Sequence, residues 1–452
     1  MAHPPWASAS NDDLNFILIT GANSGVGLGI GQRTIDKFLD TRPPSQHLIL
    51  IPTTRSKTKS HDTVLALRKH LQNNPKHSSP ARVHILSLQL DLCDLRSIYA
   101  AADQLINGTV SDPTGQLDDV AIPRIDAALF NAGIGGWSGL SWFGLVYQFA
   151  RRGISQATCF PAFKIAANPV ILDSQKLLGA NTAPKFPPPA LTEVFTANLF
   201  GHYVLAHQLL PLLSRSSASE APGRVVWTSS IDAGFEHLDL GDFQATRTRP
   251  PYESSKRITD IIALTAELPS VRDAAAPFFD SPAAADKPIK SRFYLSHPGI
   301  VCTPIFPLNW FLFLGYQFAM YLARWFGSPW HTIKIYLGAC ATTWLALADQ
   351  STLDALDAQR VKWGSSATFF GHAAPKKTET EGWGWEGRIE DDEALRNDPE
   401  KGIFRKSRFR KWDAITLTEE KKAEFEAQGR QCWEKLESLR VAWDAALKQG
   451  KA

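Results

Sequence analysis

Short apolar runs alternate with longer amphipathic stretches along the first third of the chain. "FILIT" (16–20) is continuously apolar and rich in branched side chains, and Gly21 ends it at once. Such a run suits a strand buried on both faces of a parallel sheet. "HLILIPTTR" (47–55) repeats the pattern, "ARVHILSLQLDLCDLRSI" (81–98) contains a third strand, and "IDAALFNAGIGG" (125–136) a fourth. Helical stretches such as "VGLGIGQRTIDKFL" lie between them. That alternation predicts an α/β fold, a Rossmann-type doubly wound parallel sheet with insertions and a helical C-terminal extension.

Further on, "LTEVFTANLFGHYVLAHQLLPLL" (191–213) is an amphipathic helical run and "GRVVWTSSIDAG" (223–234) a strand. "PYESSKRITDIIALTAEL" forms a helix with Ile258, Ile261, Ile262, Thr265 and Leu268 on or near one stripe. From Phe293 to Ala323 there is no Asp, Glu, Lys or Arg. The densest part, 308–323, would span about 24 Å, short of a hydrocarbon core of roughly 30 Å. Pro304 and Pro307 break the run before it and Arg324 closes it. The pattern favours a segment lying in a membrane interface, with Trp310, Tyr316, Tyr321 and Trp325 as interfacial aromatics. A pocket wall, a dimer contact and a true span are the alternatives.

Composition changes near residue 350. "APKKTETEGWGWEGRIEDDEALRNDPEKG" reads as an exposed loop or linker, and "RKSRFRKW" (405–412) as a basic patch for anionic headgroups or water. "TEEKKAEFEAQGRQCWEKLESLRVAWDAALK" (418–448) predicts a long helix, with Phe425, Trp433, Leu436 and Trp443 available for packing. The expected organisation is a core at 12–350, with an insertion at 137–190 and the apolar segment at 304–327, and then an extension at 351–452. A net charge of +3 over 452 residues does not point to nucleic acid. The five scattered cysteines read as reduced thiols, and no metal-binding cluster accompanies them. The N-terminus lacks the basic and apolar regions of a secretory signal.

Gly21, Gly25 and Gly27 form TGxxxGxG between the first strand and its helix. Glycines there let backbone approach a pyrophosphate, and the helix N-terminus offers free N–H groups. The tip of the second strand carries Thr53, Thr54 and Arg55, with Lys57 and Lys59 just after. Cations in place of an acidic residue suit a ribose 2′-phosphate, so NADPH is the expected cofactor, with Arg55 its contact. Tyr252 and Lys256, four apart, share a helix face. A phenol near an ammonium can have its pKa lowered from about 10 and act as a general acid.

Together these residues resemble the short-chain dehydrogenase/reductase family. The matching pieces are Thr20 to Gly27, Asp91, Asn131-Ala132-Gly133, Asn198, Ser229-Ser230, Tyr252-xxx-Lys256 and Pro298-Gly299. "NAGIGGWSGLSW", "YESSKRITDIIAL" and the apolar segment are similar, more narrowly, to the fungal 3-keto sterol reductases of ergosterol biosynthesis.

The resemblance implies catalysis by Ser230, Tyr252, Lys256 and Asn198, with Ser229 the fallback for Ser230. It implies cofactor contacts from Gly21, Asn23, Ser24, Gly25, Val26, Gly27, Arg55, Asp91, Asn131, Tyr252, Lys256, Pro298 and Thr303. The implied reaction is NADPH-dependent reduction of a 3-keto sterol to the 3β-alcohol during C-4 demethylation. It would take place at the cytosolic face of the endoplasmic reticulum or on a lipid droplet. Partners would be the sterol ketone, the membrane surface and other C-4 demethylation enzymes, with an oligomer left open. Reduction of other bulky apolar ketones, retinoid-like or xenobiotic, and a membrane scaffold are the rival functions. The connection from Ser230 to Tyr252 and the insertion at 137–190 are longer than the family pattern. Either could shape a roomy pocket or decorate the surface.

Overall fold

The computed structural model describes residues 5–74, 80–179, 187–217, 219–247, 250–303, 310–389 and 409–449. The strands are β1 (Leu14–Ile19), β2 (His47–Thr54), β3 (Val83–Ile85), β4 (Leu88–Gln89), β5 (Ala127–Phe130), β6 (Trp137–Leu140), β7 (Lys164–Ala166), β8 (Arg224–Thr228), β9 (Arg292–His297), β10 (Lys362–Ala367) and β11 (Ala373–Thr378). Nine of them form one sheet in the order β11-β10-β9-β8-β5-β1-β2-β3, with β4 beside β2. All pairings in it are parallel except β10 with β11. β6 and β7 make a separate antiparallel hairpin within the insertion.

Strand pleating explains the continuous apolar runs. Successive side chains point to opposite faces, so Phe16 and Leu18 enter one core layer and Ile17 and Ile19 the other. Helices cover both faces. Ser56 and Asp94 cap the helices Lys57–Asn73 and Leu95–Asn107 by accepting from Lys59 N and Arg96 N.

The sheet does not stop at residue 350. β10 and β11 extend it, so "APKKT" is strand, and Trp383 and Trp385 beyond it are buried. The expected exposed linker is therefore wrong for 374–387. Its lysine-rich stretch pairs backbone with a strand that the charge pattern had hidden. Residues 390–408, including the first half of the basic patch, lie outside the described residues. At its end, Arg410 pairs with Glu379 at 2.7 Å and Lys411 with Glu236 at 3.0 Å. Those two cations are thus committed within the chain.

The long C-terminal helix, Glu419–Gln449, packs on the core. It crosses the helix Pro251–Thr265 so closely that a Cβ on Gly429 would lie 2.8 Å from Thr265 Oγ1. Trp433 is fully buried against the rings of Tyr203, Phe278 and Phe293. The Pro251–Thr265 helix is consequently sandwiched, and its apolar stripe is only part of its buried surface.

Candidate active site

A cleft of about 580 Å³ opens at the C-terminal ends of β1, β2, β5, β8 and β9. Parallel α/β sheets bind ligands at this edge. Strand order reverses around β1, whose neighbours are β2 and β5. The cleft begins at the glycine turn after β1. Gly21 holds φ +67°, and a Cβ on it would meet the Ala132 backbone at 2.9 Å. Asn23, Ser24, Gly25 and Val26 line the cleft where the helix Gly25–Thr41 starts. Gly27 does not line it. A Cβ there would lie 2.1 Å from the Gly21 carbonyl oxygen, so Gly27 lets the helix pack behind the turn.

Arg55 and Lys59 form the wall beyond β2, while Lys57 lines a neighbouring groove. Asp91, Asn131, Pro298 and Thr303 also line the cleft. Asp91 Oδ1 accepts from Cys93 N at 3.0 Å. A glycine turn that no side chain could fill, a helix N-terminus and two cations without a carboxylate at the β2 tip fit a dinucleotide bearing a 2′-phosphate.

Tyr252, Lys256 and Ser229 line the floor, and Ser230 does not. Pro251, at the first position of its helix, presets the backbone just before Tyr252. The Ser230 hydroxyl stands beside the Tyr252 phenol and works against the rise in its pKa. Ser229 is buried, its hydroxyl donating to the Lys256 carbonyl at 3.4 Å. Ser230 is thus the serine beside the phenol, while Ser229 is the one that lines the cleft. Lys256 Nζ donates to the Thr228 carbonyl at 2.6 Å and lies 5.7 Å from the centre of the Tyr252 ring. Burial lowers its pKa to about 8, against the pull of Asp260.

The expected lowering of the phenol pKa is not what the chain alone produces. Burial pushes Tyr252 up to about 12, and Lys164 and the Ser230 hydroxyl only partly oppose that. Desolvation of the phenolate outweighs the nearby positive charge.

Asn198 is buried in a π-helical turn, Thr196–Phe200. Such turns are single-turn widenings of an α-helix. Its carboxamide bonds the backbone of Ile134, a cleft-lining residue, and donates to Ser255 Oγ at 3.2 Å. Asn198 itself does not line the cleft.

Sequence reasoning missed two further groups. Thr20 Oγ1 accepts from Asn131 N at 2.9 Å and Ala132 N at 3.1 Å, and lies 2.8 Å from His202 Nε2. This ties β1 to the Asn131 turn; burial lowers the His202 pKa to about 3. The second group comes from the insertion. Trp137 stands 4.6 Å from the Tyr252 ring, centre to centre. Lys164 pairs with Glu253 and with Asp232. The only sequence hint was that Glu253 adjoins Tyr252 and Asp232 follows Ser230 by two; nothing placed Lys164 there.

No family model matches the chain. The 3-keto-steroid reductase of Gibberella zeae is 47% identical over 474 residues, covering 100% of this chain and 98% of that protein. That of Aspergillus fumigatus is 40% identical, covering 98% of each. That of Schizosaccharomyces pombe is 28% identical, covering 81% of this chain and 90% of its own. Among solved structures, a 3-oxoacyl-[acyl-carrier protein] reductase from Brucella melitensis aligns over 74% of this chain and 90% of its own, with 15% identity and a TM-score of 0.41.

Proposed function

The chain belongs to the 3-keto-steroid reductase family, and from that premise we propose that it reduces a 3-keto sterol to the 3β-alcohol with NADPH. The reaction serves C-4 demethylation in sterol biosynthesis. One observation carries the chemistry: Tyr252 and Lys256 line the cleft that begins at the Gly21 turn, with Lys256 Nζ 5.7 Å from the centre of the Tyr252 ring.

NADPH, when bound, supplies hydride. The residues that would hold it are the Gly21–Val26 turn, Arg55, Asp91, Asn131, Pro298 and Thr303. Ser230 donates a hydrogen bond to the substrate carbonyl and orients it toward the phenol. Tyr252 gives its proton to the carbonyl oxygen as charge develops there. Lys256 keeps a positive charge beside the phenol ring, and its bond to the Thr228 carbonyl holds it in place. Asn198 fixes the Ile134 turn that faces the substrate. Burial makes the isolated phenol a reluctant acid, so the proton leaves only when an oxyanion is there to take it.

The protein works at a membrane surface, on the cytosolic face of the endoplasmic reticulum or a lipid droplet. Support comes from exposed apolar side chains on neighbouring elements. The helix Trp310–Trp325 exposes Trp310 (76%) and Phe318, the helix Trp142–Cys159 exposes Phe143 (85%) and Tyr147, and the β10–β11 turn exposes Phe370 (84%). The two helices touch, with Ser155 Oγ donating to the Ala323 carbonyl at 3.2 Å, and Trp325 meets Phe369 at 6.2 Å. Clustered exposed apolar side chains mark interaction sites, and Trp and Tyr favour the lipid interface. Among the described residues no helix is long and apolar enough to cross a membrane; residues 304–309 of the apolar segment lie outside them. Other C-4 demethylation enzymes are the partners this location implies.

The test is NADPH oxidation by purified protein across sterol ketones and non-steroid ketones, alongside Tyr252→Phe. Turnover restricted to sterol ketones and lost in the variant supports the proposal. Near-normal turnover by Tyr252→Phe refutes it.

A further inference from the structure

The hairpin β6–β7 belongs to a stretch that sequence alone left between pocket and decoration. Its two strands bring Trp137 into the cleft lining and Lys164 against the Tyr252 ring. Trp137 packs on the Tyr252 ring and its Nε1 donates to Glu253 Oε1 at 3.2 Å. Lys164 Nζ lies 4.7 Å from the Trp137 ring centre and 5.8 Å from that of Tyr252. Lys256 stands at 5.7 Å from the same tyrosine ring. The phenol ring is thus flanked by two ammonium groups at nearly equal range, one on its own helix and one from the insertion.

Lys164 also joins three chain segments. It pairs with Glu253, next to Tyr252 on the helix, and with Asp232, two residues after Ser230. Burial opposes its charge, but Asp232 and Glu253 hold its pKa above the ordinary lysine value. It stays an ammonium throughout the neutral range. The charged neighbours of this cluster are Lys256, His237, which feels Lys164 and Glu253, and Lys411, which feels Asp232.

We infer that Lys164 is a positioning residue for the general acid: it clamps the hairpin onto the catalytic floor and places a second positive charge beside the Tyr252 phenol. The inference rests on Tyr252 being that acid. It makes the insertion part of the catalytic apparatus. An ammonium about 6 Å away in a partly dry site favours phenolate, and the paired carboxylates subtract from that effect.

The experiment replaces Tyr252 with a tetrafluorinated tyrosine, acidic enough to titrate below the other tyrosines even where burial raises the phenol, and follows its ionisation by absorbance in the full chain without substrate. Lys164→Met should raise the midpoint by roughly one pH unit. Lys164→Arg should leave it near the starting value. Glu253→Gln, which removes a negative charge, should lower it. Opposite shifts identify electrostatics, because loosened packing would move both variants the same way. An unchanged midpoint in Lys164→Met, or shifts of one sign in both variants, overturns the inference. If Lys164→Met does not fold, Glu253→Gln and Lys164→Arg decide: any pattern other than a lowered and a retained midpoint overturns it. The measurement needs no turnover, so it fails independently of the Tyr252→Phe assay.

Discussion

Asn198 grips Ile134 by its backbone: Oδ1 accepts from Ile134 N at 2.8 Å, and Nδ2 donates to the Ile134 carbonyl at 3.0 Å. The two bonds replace the strand pairing that ends at Phe130 and hold the turn against the π-helical segment. The fit is tight enough that a Cβ on Gly133 would stand 2.8 Å from Asn198 Oδ1.

Asn198→Ala should therefore lose about 2 kcal/mol of stability, since buried backbone groups lose their partners. Turnover should fall more than tenfold as the Ile134 turn shifts. Denaturant unfolding and steady-state kinetics check this. Gly133→Ala should reproduce the kinetic defect by pushing the same two segments apart.

Arg55→Ala should weaken NADPH binding roughly tenfold to a hundredfold, the worth of a charge-assisted hydrogen bond to phosphate. NADH binding should barely change. Fluorescence titration with both cofactors measures the difference. Equal loss for both would show that Arg55 does not read the 2′-phosphate.

The lowered pKa of Lys256 gives activity and stability opposite pH trends. Above about 8 the folded chain loses the ammonium. The rate with limiting substrate should fall through that pH if the charge is needed. The unfolded lysine holds its proton until about 10.4, so between these values the unfolded state binds more protons. Stability from this group therefore rises with pH across that window, by up to roughly 1.4 kcal/mol per unit, as the penalty for burying a charge is relieved. Lys256→Met should abolish this slope in urea unfolding between pH 8 and 10.

Polar substitutions on the apolar face should release the protein from lipid without disturbing the cleft. Phe143→Glu with Phe370→Glu alters two helix and turn positions that are both more than 80% exposed. Flotation with phosphatidylcholine vesicles should drop several-fold, while reduction of a detergent-solubilised sterol ketone stays within about twofold of wild type. Full retention on vesicles would exclude this face as the docking surface.

The local pattern alone was enough to establish the parallel sheet, the glycine turn and the order of the motifs. A buried strand must be apolar on both faces, a tight turn needs glycine, and residues four apart share a helix face; all are short-range constraints written in adjacent residues. Tertiary structure decided what depends on distant segments meeting. Lys164 and Glu253 are 89 positions apart, and their pairing follows no periodicity. β10 was concealed because the charge of Lys362 is matched by Asp260 at 2.6 Å, a partner that only the folded chain supplies. The acidity of Tyr252 was also decided there, since burial, which raises its pKa, belongs to the packed molecule and to no stretch of sequence.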